Sequence, residues 1–455
     1  MANSYLNRTF SGTPTMTTFT VSFWMKRSAI SSTQRLISAR VDGNNESTFY
    51  INSADKLYIA QTVGGATKCD INTNRVFRDT SAWYHIVVQK NTTLATANDR
   101  VKIWVNGVEE TNLTRSTAQV QNEEDFFLKS TATNEIGRRP SNNDQYFDGY
   151  FASFCIVQGS VVAPTTFGST DSTSGIWKFQ GPSGSFGTNG FHLKFENSGA
   201  MGTDSSGNNQ TWTAGGTLTQ SLDTPSNVHP TWNKLDPMVN TYNNDMLYGN
   251  TTIQTTTTTY PALVASLGVT KGKWYWEVKL SARSTGSYAE ALIGVCSTQI
   301  TGTTQELGDR PNDYGYYSGG GGGAVIRNNN SSTSYGPAYD VGTIVCVALD
   351  LDNNKLYFRR DSNAWENSGN PESGSTGTGA VSITDPDSTD LGVYFPAVGS
   401  WSTGQNVTFQ ANFGNGFFGT TAITSAGSNG NGSLFEFDVP SGYYALNTKN
   451  LNTYG

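Results

Sequence analysis

Apolar and polar side chains alternate with a period of two along many short stretches of this chain. The clearest stretch has two faces: Trp274, Trp276, Val278 and Leu280 on one, and Tyr275, Glu277 and Lys279 on the other. Such alternation is typical of a β-strand with one buried face. Long amphipathic stretches with helical spacing are missing, so the pattern predicts an all-β protein. We expect two antiparallel β-sandwich domains of the jelly-roll type in tandem.

The first 165 residues contain several such strands separated by turn residues. Residues 19–25 alternate in this way, and residues 101–105 do so directly before Asn106-Gly107. An Asn-Gly pair after an alternating strand predicts a hairpin, because a type I′ turn needs positive φ at both central residues. The strand that ends at Val105 is therefore expected to turn back at once.

Length, charge and cysteine content narrow the class of protein. At 455 residues the chain exceeds the roughly 250–300 residues that one core supports, so two or three domains are expected. A net charge of −7 argues against nucleic-acid binding, which needs clustered positive charge. No stretch is typical of a signal peptide or a membrane helix, so we expect cytoplasmic synthesis without membrane insertion. The four cysteines lack the spacing of metal sites and disulfide frameworks, so we expect unpaired structural thiols: Cys69, Cys155, Cys296 and Cys346. This is clearest for Cys155 and Cys346, which have apolar neighbours.

Four motifs in the first part of the chain occur in the order found in one lectin-like family. They are Phe19–Lys26, Trp83–Val88, Val101–Val108, and Ile136-Gly137 followed by Phe147–Phe154. This part resembles the LamG or concanavalin A-like jelly-roll family. The resemblance implies a lectin-like β-sandwich.

A second set of motifs lies in the later part of the chain. They are Gly272–Leu280, Ala291–Ser297, Tyr314–Tyr316, Gly342–Phe358, Val393–Val398 and Val407–Phe413. The sequences of these motifs and their order along the chain resemble those of the SPRY domain. The resemblance implies a β-sandwich that binds partners through its loops and has no chemistry of its own.

Composition sets the expected domain boundaries. The assignments are residues 1–165 for the LamG-like sandwich, 166–235 for strands packing on it plus a connector, 236–418 for the SPRY-like sandwich, and 419–455 for a tail packing on that sandwich. The Thr-rich tract 248–259 favours an edge strand over a flexible linker, because Thr is β-branched. The glycine run 319–323 is expected to be a loop between strands, since a strand rather than a phosphate-binding helix follows it.

Both ends of the chain resemble proteins of bacteriophage particles. Met1–Phe10 is similar to the start of LamG-containing virion proteins of aquatic phages, and Phe435–Thr448 to the ending of many phage proteins with a SPRY domain. The resemblance implies a fibre, spike or decoration on the virion surface, a tail or capsid appendage that binds host-surface glycan or a receptor. It implies other virion proteins and copies of itself as partners, with a trimer by analogy to phage appendages. The alternative is a purely structural decoration or adaptor that binds only other virion proteins.

A glycan-degrading depolymerase is the second alternative, because the concanavalin A-like fold also houses glycosidases. Retaining hydrolysis needs two carboxylates about 5–5.5 Å apart, which glucanase relatives supply from one strand as E-x-D-x-x-E. The nearest stretch, Glu123–Asp125, has Leu128 at the last glutamate position, so we expect a solvated loop before a strand. His85 and His192 are expected to be sheet residues that face water or a hydrogen-bond partner. No catalytic residue is assigned, and the protein is expected not to be an enzyme.

Aromatic side chains in the expected loops of the second domain are the ligand-binding candidates. Their rings could stack on sugars, and polar neighbours could bind hydroxyl groups. The candidates are Arg310, Asp313, Tyr314, Tyr316, Tyr335, Trp365 and Asn367. The alternative is that most of these rings cap the sandwich core.

Two oxygen-rich turns are candidates for calcium. Asp42 and Glu46 lie in one turn, and Asp204 lies in the other. Calcium takes roughly 6–8 oxygen ligands, whereas the second turn offers one carboxylate with several neutral groups. An Asx-type turn completed by Gly207 explains that stretch more simply. No other metal or cofactor is expected.

Overall fold

The computed structural model describes residues 3–236, 239, 245–255, 262–284, 290–298, 305–319, 323–401 and 406–455. The chain divides into two compact units, Met1–Gln220 and Ser221–Gly455. Both units consist of mainly antiparallel sheets, which confirms the expected fold class. Residues 221–235, expected in the connector, belong to the second unit, where Trp232 is fully buried in the core. No helix among the described residues is long and apolar enough to cross a membrane.

The first unit contains two large sheets and a small hairpin. Its described strands are β1 (Tyr5–Arg8), β2 (Thr18–Arg27), β3 (Gln34–Asp42), β4 (Asn45–Ile51), β5 (Lys56–Val63), β6 (Ala66–Val76), β7 (Tyr84–Asn91), β8 (Val101–Val105), β9 (Val108–Glu109), β10 (Leu113–Thr117), β11 (Thr133–Ile136), β12 (Gly149–Gln158), β13 (Gly168–Thr170), β14 (Trp177–Phe179), β15 (Phe191–Leu193) and β16 (Thr213–Gly215). The sheet orders are β10-β6-β5-β4-β3-β11-β1-β16 and β15-β12-β2-β7-β8-β9, with β13 paired to β14. Two short 3-10 turns span Ala97–Asp99 and Pro164–Thr166.

The two large sheets of the first unit enclose one apolar core. On β2 the alternate residues 19, 21, 23 and 25 are fully buried in that core. The predicted hairpin is confirmed, because β8 turns directly into β9 with φ of 50° at Asn106 and 78° at Gly107. A Cβ added at Gly107 would lie 2.4 Å from the Trp177 ring. Glycine therefore serves both the turn and the close approach of the β13–β14 hairpin.

That hairpin covers part of the outer face of the six-stranded sheet. Trp177 donates from Nε1 to Nδ1 of His85 at 3.0 Å, and Nε2 of His85 lies 2.9 Å from the Ser22 hydroxyl. Because Nδ1 accepts, the proton of the neutral ring sits on Nε2 and is donated to Ser22. His85 is thus a buried hydrogen-bond partner, and burial lowers its pKa to about 3. His192 is similar: it bonds the Ser153 hydroxyl at 2.9 Å, and burial lowers its pKa to about 4.

The second unit is a second sandwich with a covering tail. Its described strands are β17 (Asp245–Leu247), β18 (Thr252–Gln254), β19 (Ala262–Val264), β20 (Lys273–Arg283), β21 (Ala291–Cys296), β22 (Asp313–Tyr317), β23 (Val325–Asn328), β24 (Ser331–Ser334), β25 (Ile344–Asp350), β26 (Lys355–Arg360), β27 (Val381–Ser382), β28 (Phe395–Ser400), β29 (Val407–Asn412), β30 (Phe417–Phe418), β31 (Thr421–Ala422) and β32 (Tyr444–Ala445). The sheet orders are β17-β18-β29-β20-β25-β26-β27, which β32 joins by pairing with β20, and β19-β28-β21-β22-β23-β24. Helix α1 (Thr448–Tyr454) ends the chain, and 3-10 turns span Glu366–Ser368, Pro371–Thr376 and Pro386–Ser388.

Three sequence predictions concern the strands of this unit. The inward face predicted for β20 is confirmed, since residues 274, 276, 278 and 280 are all fully buried in the core. Within the Thr-rich tract, β18 lies second from the sheet edge with β17 outside it, and residues 256–259 lie outside the described part. The glycine run 319–323 falls between β22 and β23, and its residues 320–322 also lie outside the described part of the chain.

All four cysteines are buried free thiols, as expected.

The tail covers the outer face of β20 and is fixed there by a buried carboxylate. Glu277 accepts hydrogen bonds from the backbone N–H groups of Glu436 and Phe437, both at 2.9 Å. It also accepts from the Tyr275 hydroxyl at 3.0 Å and the Asn412 amide at 3.1 Å. Burial raises the pKa of Glu277 to about 7 against the opposing effect of these four donors. The outer face of the sheet, which the alternation predicts to be exposed, is therefore a second, smaller core.

Replacing Glu277 with Ala should detach the tail. The substitution leaves two tail N–H groups without their buried acceptor, and we expect the free energy of unfolding of this unit to fall by about 3 kcal/mol. Denaturant unfolding with hydrogen exchange at residues 435–445 measures it. Glu372→Ala is the matched control: Glu372 is exposed and accepts one tail N–H, from Ser441 at 2.7 Å, so its removal should cost about 0.5 kcal/mol. Equal losses for the two variants would contradict this role of Glu277.

Acid should loosen the first unit through its two buried histidines. Their pKa values are lower in the folded chain than the unfolded value of about 6.5, so the unfolded chain binds protons first as the pH falls. The stabilising contribution is complete above about pH 6.5 and decreases toward pH 3, by several kcal/mol in total at about 1.4 kcal/mol per pKa unit. Hydrogen exchange of β7 between pH 7 and 4 measures the loss, and His85→Gln should flatten the pH dependence. An unchanged slope in that variant would contradict the assignment.

Candidate functional site

The structure places the three predicted ligand-binding tyrosines in the core of the second unit. Tyr314 and Tyr316 lie on β22 and point inward, and Tyr335 follows β24; all three are buried. The Tyr316 ring lies 5.2 Å from Phe358 and 5.6 Å from Tyr335, measured between centroids. Their ring faces are therefore occupied by protein, which corrects the expectation of loop aromatics and matches the alternative that these rings cap the core.

The other four candidates occupy different settings. Asp313 is buried at the start of β22, where burial raises the pKa of its carboxyl to about 6. Arg310 is half-buried in the turn before that strand. Trp365 is half-buried under the guanidinium of Arg359, 4.9 Å from its ring centroid, and Asn367 is exposed with φ of 56°. Of the seven, Arg310, Trp365 and Asn367 thus keep surface on which a partner could rest.

The calcium candidates are hydrogen-bond acceptors. Asp204 accepts from the backbone N–H groups of His192, Ser206 and Gln210 at 2.8–2.9 Å, an arrangement typical of an Asx-type turn. Asp42 accepts from the Asn44 N–H at 2.7 Å, and its partner in the same turn, Glu46, lies 3.5 Å from Arg40. The described residues contain no group of three His, Cys, Asp or Glu side chains that could hold a metal ion. Calcium at Asp42, Glu46 and Asp204 stays a prediction.

The carboxylates nearest to a glucanase motif lie in a loop, and each forms an ion pair. Glu123 pairs with Lys68 at 3.6 Å, and Glu124 with Lys129 at 2.6 Å. Asp125 is buried and pairs with Lys90 at 2.6 Å. The expectation that it lies in a solvated loop is therefore wrong for this residue. The next strand, β11, begins eight residues later at Thr133. Each of the three carboxylates of the stretch thus lies beside one lysine.

A polar and aromatic surface on the first unit was missed at the sequence level. We call it the tyrosine–arginine face: Tyr5, Arg35, Tyr50, Tyr58, Glu135, Arg138 and Tyr146. Tyr50 on β4 and Tyr58 on β5 are paired in register, and their rings stack at 5.0 Å. Their sequence neighbours Phe49 and Ile59 are buried in the core, so both tyrosines lie on the outer side of the eight-stranded sheet. Both are half-buried, leaving part of each ring open.

Arginines order the rings of this face. The Arg35 guanidinium lies 4.6 Å from the Tyr50 ring centroid and donates to Thr48 Oγ1 at 2.8 Å. The Arg138 guanidinium lies 3.4 Å from the Tyr5 centroid, and Nε of Arg138 donates to Glu135 at 2.8 Å. Burial raises the pKa of Tyr50 to about 12, so its hydroxyl stays protonated at neutral pH.

The chemistry of this face suits noncovalent recognition of polar ligands. Half-open rings offer apolar faces to the C–H side of a sugar or to a partner side chain. Guanidinium N–H groups and hydroxyls beside them can bind polar groups of the same ligand. The strand alternation of residues 48–51 signals an outward Tyr50, but its pairing with Tyr58 depends on hairpin register, which the alternation does not give.

Comparisons with known proteins give two family models that match the chain, each over part of it. The family model of the concanavalin A-like lectin/glucanases superfamily (Laminin_G_3) matches residues 3–165, and that of the SPRY domain matches residues 273–416. A search of curated proteins gives no match.

Similar solved structures each cover part of the chain. The SPRY domain of human HERC1 is 14% identical, with a TM-score of 0.27, over 36% of this chain and 90% of that one. The heptameric SAP-like pentraxin from Limulus polyphemus is 16% identical, with a TM-score of 0.25, over 34% of this chain and 69% of that one. Stonustoxin is 15% identical, with a TM-score of 0.29, over 40% of this chain and 27% of that one.

The two family matches fall one in each compact unit, within Met1–Gln220 and Ser221–Gly455. Domains of both kinds are β-sandwiches, and each of the two units likewise has two large sheets. The two matches support an architecture of a concanavalin A-like lectin domain followed by a SPRY domain, and such domains support a carbohydrate-binding or protein-binding role.

Proposed function

We propose that this chain is a bacteriophage virion protein, a fibre, spike or surface decoration, that binds host-surface glycan without catalysis. The resemblance of both ends to phage virion proteins supports the virion assignment. The match of residues 3–165 to a lectin-like family model supports glycan as the ligand. The observation that carries the binding role is the stacked Tyr50–Tyr58 pair with Arg35 on an open sheet face.

Several copies of the binding site on one particle would raise the overall affinity for glycan. A face built from half-open rings and side-chain donors binds a single sugar weakly, because water competes for every polar group. Several copies on one virion raise the overall affinity by effective concentration, without any new contact. A homo-oligomer, with a trimer as the proposed form, meets this requirement.

A purely structural role is the second candidate, and two exposed apolar residues favour it. Val108 is 66% exposed and Ile176 is 61% exposed. Val108 follows Gly107 and Ile176 precedes Trp177, the two residues that approach each other closely. Exposed apolar side chains suit a contact with another virion protein.

Removing the stacked pair should weaken glycan binding. In Tyr50→Ala/Tyr58→Ala, the apolar faces that a sugar ring would cover are lost, and we expect binding of the purified protein to host cells or their soluble polysaccharide to weaken about tenfold or more per site. Tyr248→Ala is the control, because Tyr248 is a 40% exposed tyrosine of the other unit. Biolayer interferometry on immobilised polysaccharide measures both, with circular dichroism to confirm folding.

The outcomes separate the two candidates. Equal binding by the double variant and the control would reject the tyrosine–arginine face. Absence of binding by the unmodified protein, with labelling of virions confined to a seam between subunits, would favour the structural role over adhesion.

No polysaccharide cleavage is expected. Glu124 is held by Lys129 and Asp125 by Lys90, so neither carboxylate is placed as a free acid or nucleophile. Reducing-end release from a broad panel of host polysaccharides should stay at the background level for the unmodified protein and for Glu124→Gln alike. Release that disappears in Glu124→Gln would establish the depolymerase alternative instead.

A further inference from the structure

A lysine and an aspartate meet inside the core of the first unit. Lys90 lies on β7, where its paired neighbours Phe19 and Val101 are fully buried core residues. Its Nζ lies 2.6 Å from Oδ2 of Asp125, and the two side chains are 0% and 1% exposed. Asp125 comes from the loop before Phe127, another core residue. The pair is therefore enclosed by apolar side chains and shielded from water.

This pair lacks the supporting hydrogen bonds that normally accompany buried charges. Among the described residues, neither Lys90 Nζ nor either carboxylate oxygen of Asp125 has a hydrogen bond of acceptable geometry. Another fully buried ion pair of the unit, Arg27–Asp55, is different: Asp55 also accepts from the Ser31 N–H at 2.7 Å and from Arg78 at 2.9 Å. A buried charge without such partners costs several kcal/mol. Transfer of one proton from the ammonium to the carboxylate removes both charges.

We propose that Lys90 and Asp125 form an intramolecular amide bond. Proton transfer within the pair gives a neutral amine and a neutral carboxylic acid. The Nζ lone pair adds to Cγ of Asp125, the former acid hydroxyl takes one amine proton and leaves as water, and the amide keeps the other. One N–C bond forms, one C–O bond breaks, and no oxidant, reductant or further reactant is needed.

The geometry favours this condensation. The Lys90 nitrogen lies 2.6 Å from one carboxylate oxygen of Asp125, so the two groups are already in contact, and condensation is faster between groups that are held together. The loop is fixed on both sides of the pair, since Asp125 N–H donates to the Met16 carbonyl at 3.2 Å and Phe126 N–H to Ser47 Oγ at 3.1 Å. The dry surroundings oppose the reverse hydrolysis.

A competing nucleophile is present but inactive. Cys69 is buried near the pair and interacts electrostatically with both Lys90 and Asp125. Burial raises the pKa of its thiol to about 12, so the reactive thiolate is not populated at neutral pH. The amine is then the nucleophile available to Asp125.

Mass spectrometry of the full chain, unfolded and reduced, tests the bond. We expect the intact mass to lie below the value calculated from the sequence, for the same N-terminus, by the mass of one water molecule. Trypsin should leave Lys90 uncleaved and give a branched peptide that joins residues 79–100 to residues 116–129. An intact mass equal to the calculated one, with free cleavage after Lys90, overturns the proposal. Water loss confined to a single unbranched peptide, as in an aspartyl succinimide, also overturns it.

The same digest contains a matched control. Lys129 and Glu124 are also 2.6 Å apart, but their side chains are 15% and 40% exposed. Cleavage after Lys129 should be complete, because water reaches that exposed pair and keeps it unreacted. Lys90→Arg keeps the cation but replaces the amine with a weak nucleophile, so its mass should equal the calculated value. A branched peptide at Lys129 of similar yield would show that burial is not the cause.

Discussion

The central strands of both units are buried on both faces, and this constraint shapes the rest of the structure. A sheet in a sandwich needs only its inner face covered, yet β2 and β20 have buried side chains on both sides. Each therefore needs a second covering layer, which the β13–β14 hairpin helps to form over β2 and the C-terminal tail forms over β20. Because such a layer encloses polar groups of the strand, every enclosed group needs a partner. On β20 the enclosed Glu277 has four hydrogen-bond donors, and on β2 the enclosed Ser22 is paired with His85 of the neighbouring β7.

The inner faces could be predicted from the sequence, whereas the outer covering could not. The alternation of β20 gives the buried Trp274 and Trp276 directly, because a strand has a fixed period. The same rule places Tyr275 and Glu277 in water, and it fails because residues 435–437, far along the chain, lie over them. Long-range covering of this kind leaves no periodic signal in the strand itself. The buried tyrosines of β22 are a different case. Tyr314 and Tyr316 alternate with Gly315 in the sequence, so their inward direction could have been predicted had the stretch been assigned to a strand and not to a loop.

The candidate site illustrates the same division between local and long-range information. That Tyr50 points away from the core follows from its buried neighbours Phe49 and Ile51. That it meets Tyr58 and Arg35 depends on the register of three adjacent strands, including an irregular step between β3 and β4. Turn geometry sets this register, with φ of 62° at Asp55 in the turn that precedes β5. Asp55 is in turn fixed by Arg27, so a buried ion pair helps to align the rings of the face.

Two buried ion pairs among the described residues of the first unit show how similar side chains lead to different chemistry. Asp55 receives two arginines and a backbone N–H, so its charge is compensated and the pair specifies the position of a turn. Asp125 receives a single lysine, and an amine, unlike a guanidinium, is a good nucleophile once it is neutral. A sandwich core that encloses a compensated pair gains a structural anchor. A core that encloses a Lys–Asp pair at contact distance without further hydrogen bonds instead holds an amine against a carboxyl group, the arrangement from which loss of water gives the proposed amide.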